Sequence, residues 1–254
     1  MREELALAGR VALITGAAGD LGAAIARECL AAGAQVALLD VDPQALERRH
    51  GPAGRRDAVV VLPACDIADE QQVSEAVTAL IAVFGRLDIL VNNAAVATPK
   101  SPIGEIAATQ WRRAIDVNLT GSWLMARAAL PHLCASGAGV VLNIASQLGH
   151  VTAPGSGAYG VTKAALIALT RSIAVDHAAQ GIRSLSLSPG AFMTNRLINR
   201  YGDEAAVERA LGASYLSGQV GSVDEVARAA LYLISGGRFL NGSDLVIDGG
   251  YTAQ

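Results

Sequence analysis

Val11-Ala12-Leu13-Ile14-Thr15-Gly16-Ala17-Ala18-Gly19-Asp20-Leu21-Gly22 decides how the rest of the chain is read. Val11–Ile14 is an unbroken apolar run, as in a strand covered on both faces. Glycines at 16, 19 and 22 follow, and Leu21–Ala32 then carries the apolar spacing of a helix. A strand, a glycine turn and a helix bring backbone N–H groups and a helix N-terminus to one point, where a pyrophosphate can sit. Glycine suits such a turn because a Cβ would block close approach. Alone, the pattern equally describes a tight turn, so its neighbours must decide.

The next strand, Val36–Leu39, ends at Asp40, about 20 residues past the turn, where a carboxylate can hold both hydroxyls of a ribose. That carboxylate would repel a 2′-phosphate, and no Arg or Lys lies in the turn to attract one. The expected cofactor is therefore NAD(H), not NADP(H). Asp42 can share the role, but it reads better as the cap of a helix with Pro43 at its first position. Asp66 follows the third strand, as an N-cap near Glu70 or as a hydrogen-bonding partner of the adenine edge.

Further short apolar runs fall at Val59–Leu62, Ile89–Val91, Val140–Ile144, Ser184–Leu187 and Leu245–Ile247. Helical patterns lie between them at Glu70–Phe84, Thr109–Cys134, Tyr159–Ala178 and Val223–Ile234. This alternation predicts an α/β fold, a Rossmann-type doubly wound parallel sheet of about seven strands with helices on both faces. No linker or repeat divides the chain, so residues 1–254 are expected to form one dinucleotide-binding and catalytic domain. The loop at Gly51–Asp57 is too short to be a boundary. Residues 191–218 read as a non-strand insertion after a strand end, where open α/β sheets bind ligands.

Composition narrows the function. The chain has 254 residues, 52% hydrophobic and 17% charged, which suits a buried core. Its net charge is −3 with no basic block, which argues against nucleic acid and anionic membranes as partners. Met1–Gly9 lacks the apolar core of a secretory signal, and no charge-free apolar run is long enough to span a bilayer. Cys29, Cys65 and Cys134 are too widely spaced for a disulfide frame and the four histidines are scattered, so buried thiols, a reducing cytoplasm and no metal site are expected.

The chemistry concentrates after the fifth strand. Ser146 stands at its end, and Tyr159 and Lys163 follow at helical i, i+4 spacing, on one face. A free phenol has a pKa of about 10 and is a poor base at neutral pH. A neighbouring ammonium is expected to lower it, so that Tyr159 can take a proton from an alcohol or return one to an alkoxide. Ser146 would hydrogen-bond the substrate oxygen, and Lys163 can also reach the nicotinamide ribose.

Thr15-Gly16…Gly22, Asp66, Asn92-Asn93-Ala94, Asn118, Ser146, Tyr159, Lys163, Pro189-Gly190 and Asp248-Gly249-Gly250 occur in an order and spacing that resembles the short-chain dehydrogenase/reductase family, in its branch of roughly 250 residues. The resemblance covers essentially the whole chain. It implies that Asn118 bends its helix and holds a water linking Lys163 to solvent. It implies cofactor contacts by Gly16, Gly19, Asp20, Leu21, Gly22, Asp40, Asp66, Ile67, Asn93, Ala94, Tyr159, Lys163, Pro189, Gly190 and Thr194. It also implies a homotetramer built on the helices at 109–134 and 159–178 and on the C-terminal segment. Two positions depart from the family pattern. Asp20 replaces the second-to-last glycine of the turn, so glycines 16, 19 and 22 also fit the spacing of a longer epimerase-like branch. Ala95 stands where glycine is more usual.

Substrate recognition is less constrained. Gln147 and His150 are expected at the pocket mouth, Ala153-Pro154-Gly155 as a wall, and Phe192, Met193, Leu197 and Tyr201 in a lid over residues 191–218. The expected substrate is a small secondary alcohol or ketone, with polyols, sugars and cyclic alcohols in range. Arg196 and Arg200 are placed to reach an anionic one. Two other readings stay open, an NADPH-dependent 3-ketoacyl-type reductase and a non-catalytic nucleotide sensor on the same fold.

Overall fold

The computed structural model describes residues 6–51, 55–56, 58–237 and 239–254. Strand β1 (Val11–Thr15) leads through the glycine turn into α1 (Asp20–Ala31) and β2 (Gln35–Leu39). Then come α2 (Pro43–His50), β3 (Arg55–Arg56), β4 (Val59–Val61), α3 (Glu70–Phe84) and β5 (Ile89–Asn92). The second half runs through α4 (Ala108–Ile115), α5 (Ser122–Ala135), β6 (Val140–Ile144), α6 (Gly157–His177) and β7 (Arg183–Pro189). It closes with α7 (Asn195–Tyr201), α8 (Glu204–Leu211), α9 (Val223–Ser235) and β8 (Asp244–Ile247).

The strand order is β3-β4-β2-β1-β5-β6-β7-β8. Seven strands are parallel, and the two-residue β3 pairs antiparallel with β4. The chain winds outward from β1 in one direction and from β5 in the other. The carboxyl ends of β1 and β5, at Thr15 and Asn92, therefore flank the switch point where open sheets bind ligands.

Both faces of the sheet are covered, so its strands are apolar without alternation. Ala12, Ile14, Val36, Leu38, Ile89, Val91 and Leu142 pack with α1 and α9. Val11, Leu13, Ala37, Leu39, Leu90 and Val141 pack with α3 and α5 on the other side. Each buried Leu, Ile or Val stabilises the fold by about 1.5–3 kcal/mol relative to exposure, so these layers dominate its energetics.

Some boundaries differ from the sequence reading. The single helix expected over 109–134 is interrupted by a π-helical turn, Asp116–Gly121, centred on Asn118. Gly121 in that turn admits Ile67, whose Cγ1 would lie 2.7 Å from any Cβ there. Asp42 caps α2 by accepting from Ala45 N–H, with Pro43 at the helix start. The insertion at 191–218 contains α7, α8 and a 3₁₀ turn at Gly212–Ser214. Val207, Tyr215 and Val220 form a small core of their own there, joined by Leu197, Tyr201 and Leu211. Of the reading of Gly51–Asp57 as a loop, residues 52–54 and 57 lie outside the described residues, as do the first five of Met1–Gly9. The segment Gly157–Gln180 is long and apolar enough by length and composition to cross a membrane, but it carries Lys163 and Arg171 and half of its most apolar window is buried within this fold.

Candidate active site

The site begins at the glycine turn. Gly16 adopts φ +65°, and a Cβ there would fall 2.8 Å from Ala94 Cα. Gly22 sits one helical turn in, where a Cβ would lie 2.4 Å from Gly16 O and 2.8 Å from Asn93 Nδ2. Thr15 Oγ1 accepts from the N–H groups of Asn93 and Ala94, each at 3.0 Å. Asn93 Nδ2 donates to Thr15 O at 2.9 Å and Gly16 O at 3.0 Å, so this amide braces the turn. His50 Nε2 lies 2.9 Å from Ala17 O, and Ala18 N–H donates to Asp40 Oδ2 at 3.0 Å.

The turn fits the pyrophosphate of a dinucleotide. Gly19 precedes α1 and makes no side-chain bond to its first turn, which leaves the N-terminal N–H groups of a 12-residue helix without a side-chain cap. A Cβ on Gly19 would meet only Gly16 O, at 3.3 Å, so the outer side of the turn is open. The Asp40 carboxylate stands beside it, also accepting from Asp42 N–H at 3.2 Å.

Several residues expected to contact the cofactor also bond within the protein. The Asp20 carboxylate neither faces solvent nor caps its helix. It accepts from Arg49 and Asn195. Asp66 does not cap α3; Asp69 does, accepting from Gln71 and Gln72 N–H. Asp66 instead accepts from Ala68 N–H and from Arg113 Nη1, both at 3.0 Å. Ile67 is buried, so its side chain serves the core. Thr194 caps α7, accepting from Leu197 N–H at 3.3 Å. Pro189 ends β7, and Gly190 must be glycine because a Cβ would lie 2.9 Å from Asp248 Cα and 2.8 Å from Gln147 Oε1.

The catalytic candidates do converge. After β6 the chain makes a 3₁₀ turn, Gln147–Gly149, and lies directly on α6. Two glycines permit this. A Cβ on Gly160 would be 2.8 Å from Leu148 O, and one on Gly149 would be 3.0 Å from the Lys163 carbonyl carbon. Ser146 is thereby brought close enough to act on the Tyr159 phenol, while its Oγ accepts from Leu148 N–H at 3.1 Å. Lys163 is buried beneath, its Nζ donating to Ile144 O at 2.7 Å and lying 5.5 Å from the Tyr159 ring centre.

The electrostatics correct one expectation. The Tyr159 phenol is raised above its ordinary value, because burial outweighs the opposing effects of Arg196 and the Ser146 hydrogen bond. Lys163 is pushed down to about 8, by burial first and by the Arg196 charge second. Desolvation thus dominates both groups. The cation acting on both is Arg196 of α7.

Asn118 sits at the expected bend, in the π-helical turn, and its side chain bonds within the protein. Its Oδ1 accepts from Val96 N–H at 2.8 Å, and its Nδ2 donates to Val96 O at 3.0 Å and to Thr162 Oγ1 at 3.2 Å. The side chain ties the strand-end loop to α6 and is fully engaged in doing so. A π-helical turn at this place supports a functional bend.

The expected pocket residues are dispersed. Gln147 is buried behind Gly190 against the Tyr215 hydroxyl, not at a pocket mouth. His150 Nε2 lies 2.7 Å from Asp244 Oδ2, drawn toward β8. Leu197 faces the small core of the insertion. Phe192 lines a recess with Gly190, Ala191, Tyr215 and Gly221. Residue reasoning missed Tyr215, whose hydroxyl accepts from Ala191 N–H at 2.8 Å, along with Arg49 and Asn195. None of the three lies in a recognisable spacing, so only the folded chain reveals them. Among the described residues, no group of three or more His, Cys, Asp or Glu is arranged to hold a metal.

The fold and this constellation define a nicotinamide-type oxidoreductase scaffold. Residues 16–252 match a family model described as enoyl-(acyl carrier protein) reductase. The chain is 40% identical, over 98% of both sequences, to cis-4-hydroxycyclohexanecarboxylate dehydrogenase of Sinomonas cyclohexanicum. Two solved structures each superpose with a TM-score of 0.88. One is a 3-ketoacyl-(acyl-carrier-protein) reductase from Brucella melitensis complexed with NADH, 32% identical over 97% of this chain and 99% of that one. The other is a gluconate 5-dehydrogenase from Burkholderia cenocepacia in complex with NADP and tartrate, 33% identical over 99% and 98%. The chain belongs to the short-chain dehydrogenase/reductase family and is an oxidoreductase acting at CH–OH or C=O groups.

Proposed function

We propose that this chain is an NAD(H)-dependent dehydrogenase of a small secondary alcohol, cyclic or polyhydroxylated, acting in the cytoplasm. The observation that carries the reading is the pairing of Tyr159 with the buried Lys163, whose Nζ lies 5.5 Å from the phenol ring and is anchored on Ile144 O, at the strand end that carries Ser146. Asp40 beside the uncapped start of α1 supports NAD(H), since a second anion there disfavours a 2′-phosphate. The cyclic hydroxy acid handled by the 40%-identical relative supports the substrate class.

Bound nicotinamide would accept or donate the hydride. The chain's own groups do the rest. Ser146 orients the carbinol oxygen, and Tyr159 takes its proton in oxidation or returns it in reduction. Lys163 holds positive charge under the phenol and, with Asn118 fixing the bend beside it, completes the proton path toward solvent. Gly16, Gly19, Leu21 and Gly22 present backbone to the pyrophosphate, and Asn93, Ala94, Pro189, Gly190 and Thr194 frame the nicotinamide end. Residues 1–254 act as one catalytic domain with 191–218 as its lid. The exposed Trp123, Val161 and Val175 on α5 and α6 support a homotetramer.

Kinship to the 3-ketoacyl reductase favours a second reading, NADPH-dependent ketone reduction. The test is a panel of cyclic alcohols, polyols and 3-ketoacyl thioesters, assayed with each nicotinamide by absorbance of its reduced form. Oxidation of a cyclic or polyhydroxy alcohol with NAD⁺ is expected. Turnover only of ketoacyl thioesters with NADPH would replace the first reading with the second, and no turnover at all would favour a nucleotide sensor.

A further inference from the structure

Asp20 stands where the family pattern has glycine, and its carboxylate reaches across the molecule. Oδ2 accepts from Asn195 N–H at 2.8 Å. Oδ1 accepts from Asn195 Nδ2 at 2.8 Å and from Arg49 Nη2 at 2.7 Å. The first residue of α1, in the nucleotide turn, thus holds the first residue of α7, in the insertion. The Asp20 side chain is 16% exposed, while its partners Arg49 and Asn195 stand at the surface.

Helix capping does not account for the contact. α7 already has its cap in Thr194, and α1 gains nothing from a carboxylate aimed away from its own N–H groups. The link between Arg49 and Asp20 explains only one of the three donors. A carboxylate beside a pyrophosphate site also works against the anion, and Arg49 offsets that charge. The one segment that gains is the one starting at Asn195, and it continues at once into Arg196, the cation that acts on Tyr159 and Lys163.

We propose that Asp20 is a positioning residue for the substrate, docking the first lid helix onto the nucleotide turn through Asn195 and thereby fixing where the next residue, Arg196, stands relative to the catalytic groups. The kinetic consequence rests on the dehydrogenase reading above; the docking itself does not.

Two measurements on the full chain test it. The first is backbone hydrogen exchange without cofactor, comparing wild type with Asp20→Gly and Asp20→Asn. The Gly variant is expected to exchange about tenfold faster over residues 195–201, the worth of one charge-assisted bond, with β1 and β5 unchanged. The Asn variant keeps an acceptor and should fall between, which also covers a Gly variant that folds poorly. The second is steady-state kinetics, where Asp20→Gly should raise KM for the alcohol about tenfold, change kcat less, and leave NADH binding no weaker. Asn195→Ala should add nothing to Asp20→Gly, as expected of two ends of one contact. Unchanged exchange over 195–201 in both Asp20 variants, or independent addition of the two substitutions, would overturn the proposal. Absence of turnover in wild type would count against the dehydrogenase reading, while the exchange measurement would still decide the docking.

Discussion

The nucleotide turn and the lid are held together in different ways. In the turn, glycines at 16 and 22 and the backbone of Thr15, Ala17 and Ala18 carry the geometry, braced by the Thr15, Asp40, His50 and Asn93 side chains. In the lid, side chains carry it: Thr194 and Asp203 cap two short helices, Tyr215 links Ala191 to Gln147, and a few apolar residues form a separate core. A backbone-built site tolerates almost no added atom. A side-chain-built one can be altered piece by piece, which is how one scaffold serves many alcohols.

That contrast can be broken or sharpened at four places. The largest effect concerns α6, which lies between the two regions. Lys163 has a folded value of about 8 against 10.5 when unfolded, a gap worth about 3 kcal/mol. Because the unfolded chain binds the proton more tightly, this group's contribution to stability increases as pH rises from about 8 to 10.5. Denaturant titrations across that range should show wild type gaining on Lys163→Met; a constant difference would mean that Lys163 is not desolvated.

Gly22→Ala should follow, costing about 2 kcal/mol through collision with Gly16 O and weakening nucleotide binding with it. Unaltered NADH affinity would show that the turn is less rigid than its contacts indicate. Asp40→Ala is expected to shift the ratio of NAD⁺ to NADP⁺ efficiency about tenfold toward NADP⁺, with little loss of fold. The smallest effect belongs to the lid. Leu197→Ala should cost about 1 kcal/mol, leave NADH binding alone and change the rank order of alcohols. If it weakened nucleotide binding instead, the two regions would not be separable.

The same contrast explains what could be read in advance. β1, β2, β6 and α3 were legible because burial on both sheet faces leaves an unbroken apolar run, and helices leave a 3.6-residue period. Gly16, Gly22 and Gly190 were legible because close backbone approach admits no other residue. The bend at Asn118 is carried by three hydrogen bonds to distant residues, so local periodicity reads straight through it. The side-chain directions of Ile67, Gln147 and His150 were not legible for a related reason. Adjacency in sequence to Asp66 or Ser146 says nothing about which way a side chain turns, and packing against Gly121, Gly190 and Asp244 decided it. The expected acidic shift of Tyr159 failed because spacing reveals the neighbouring charge but not the depth of burial that outweighs it.

The central claim is that Tyr159 moves the proton while the turn holds the nucleotide. Tyr159→Phe tests it most directly, by measuring NADH binding and alcohol oxidation on the same preparation. The account predicts NADH affinity within about twofold of wild type and oxidation reduced by about a thousandfold, the range of a lost general acid–base. Oxidation at near wild-type rates with NADH still bound would contradict it.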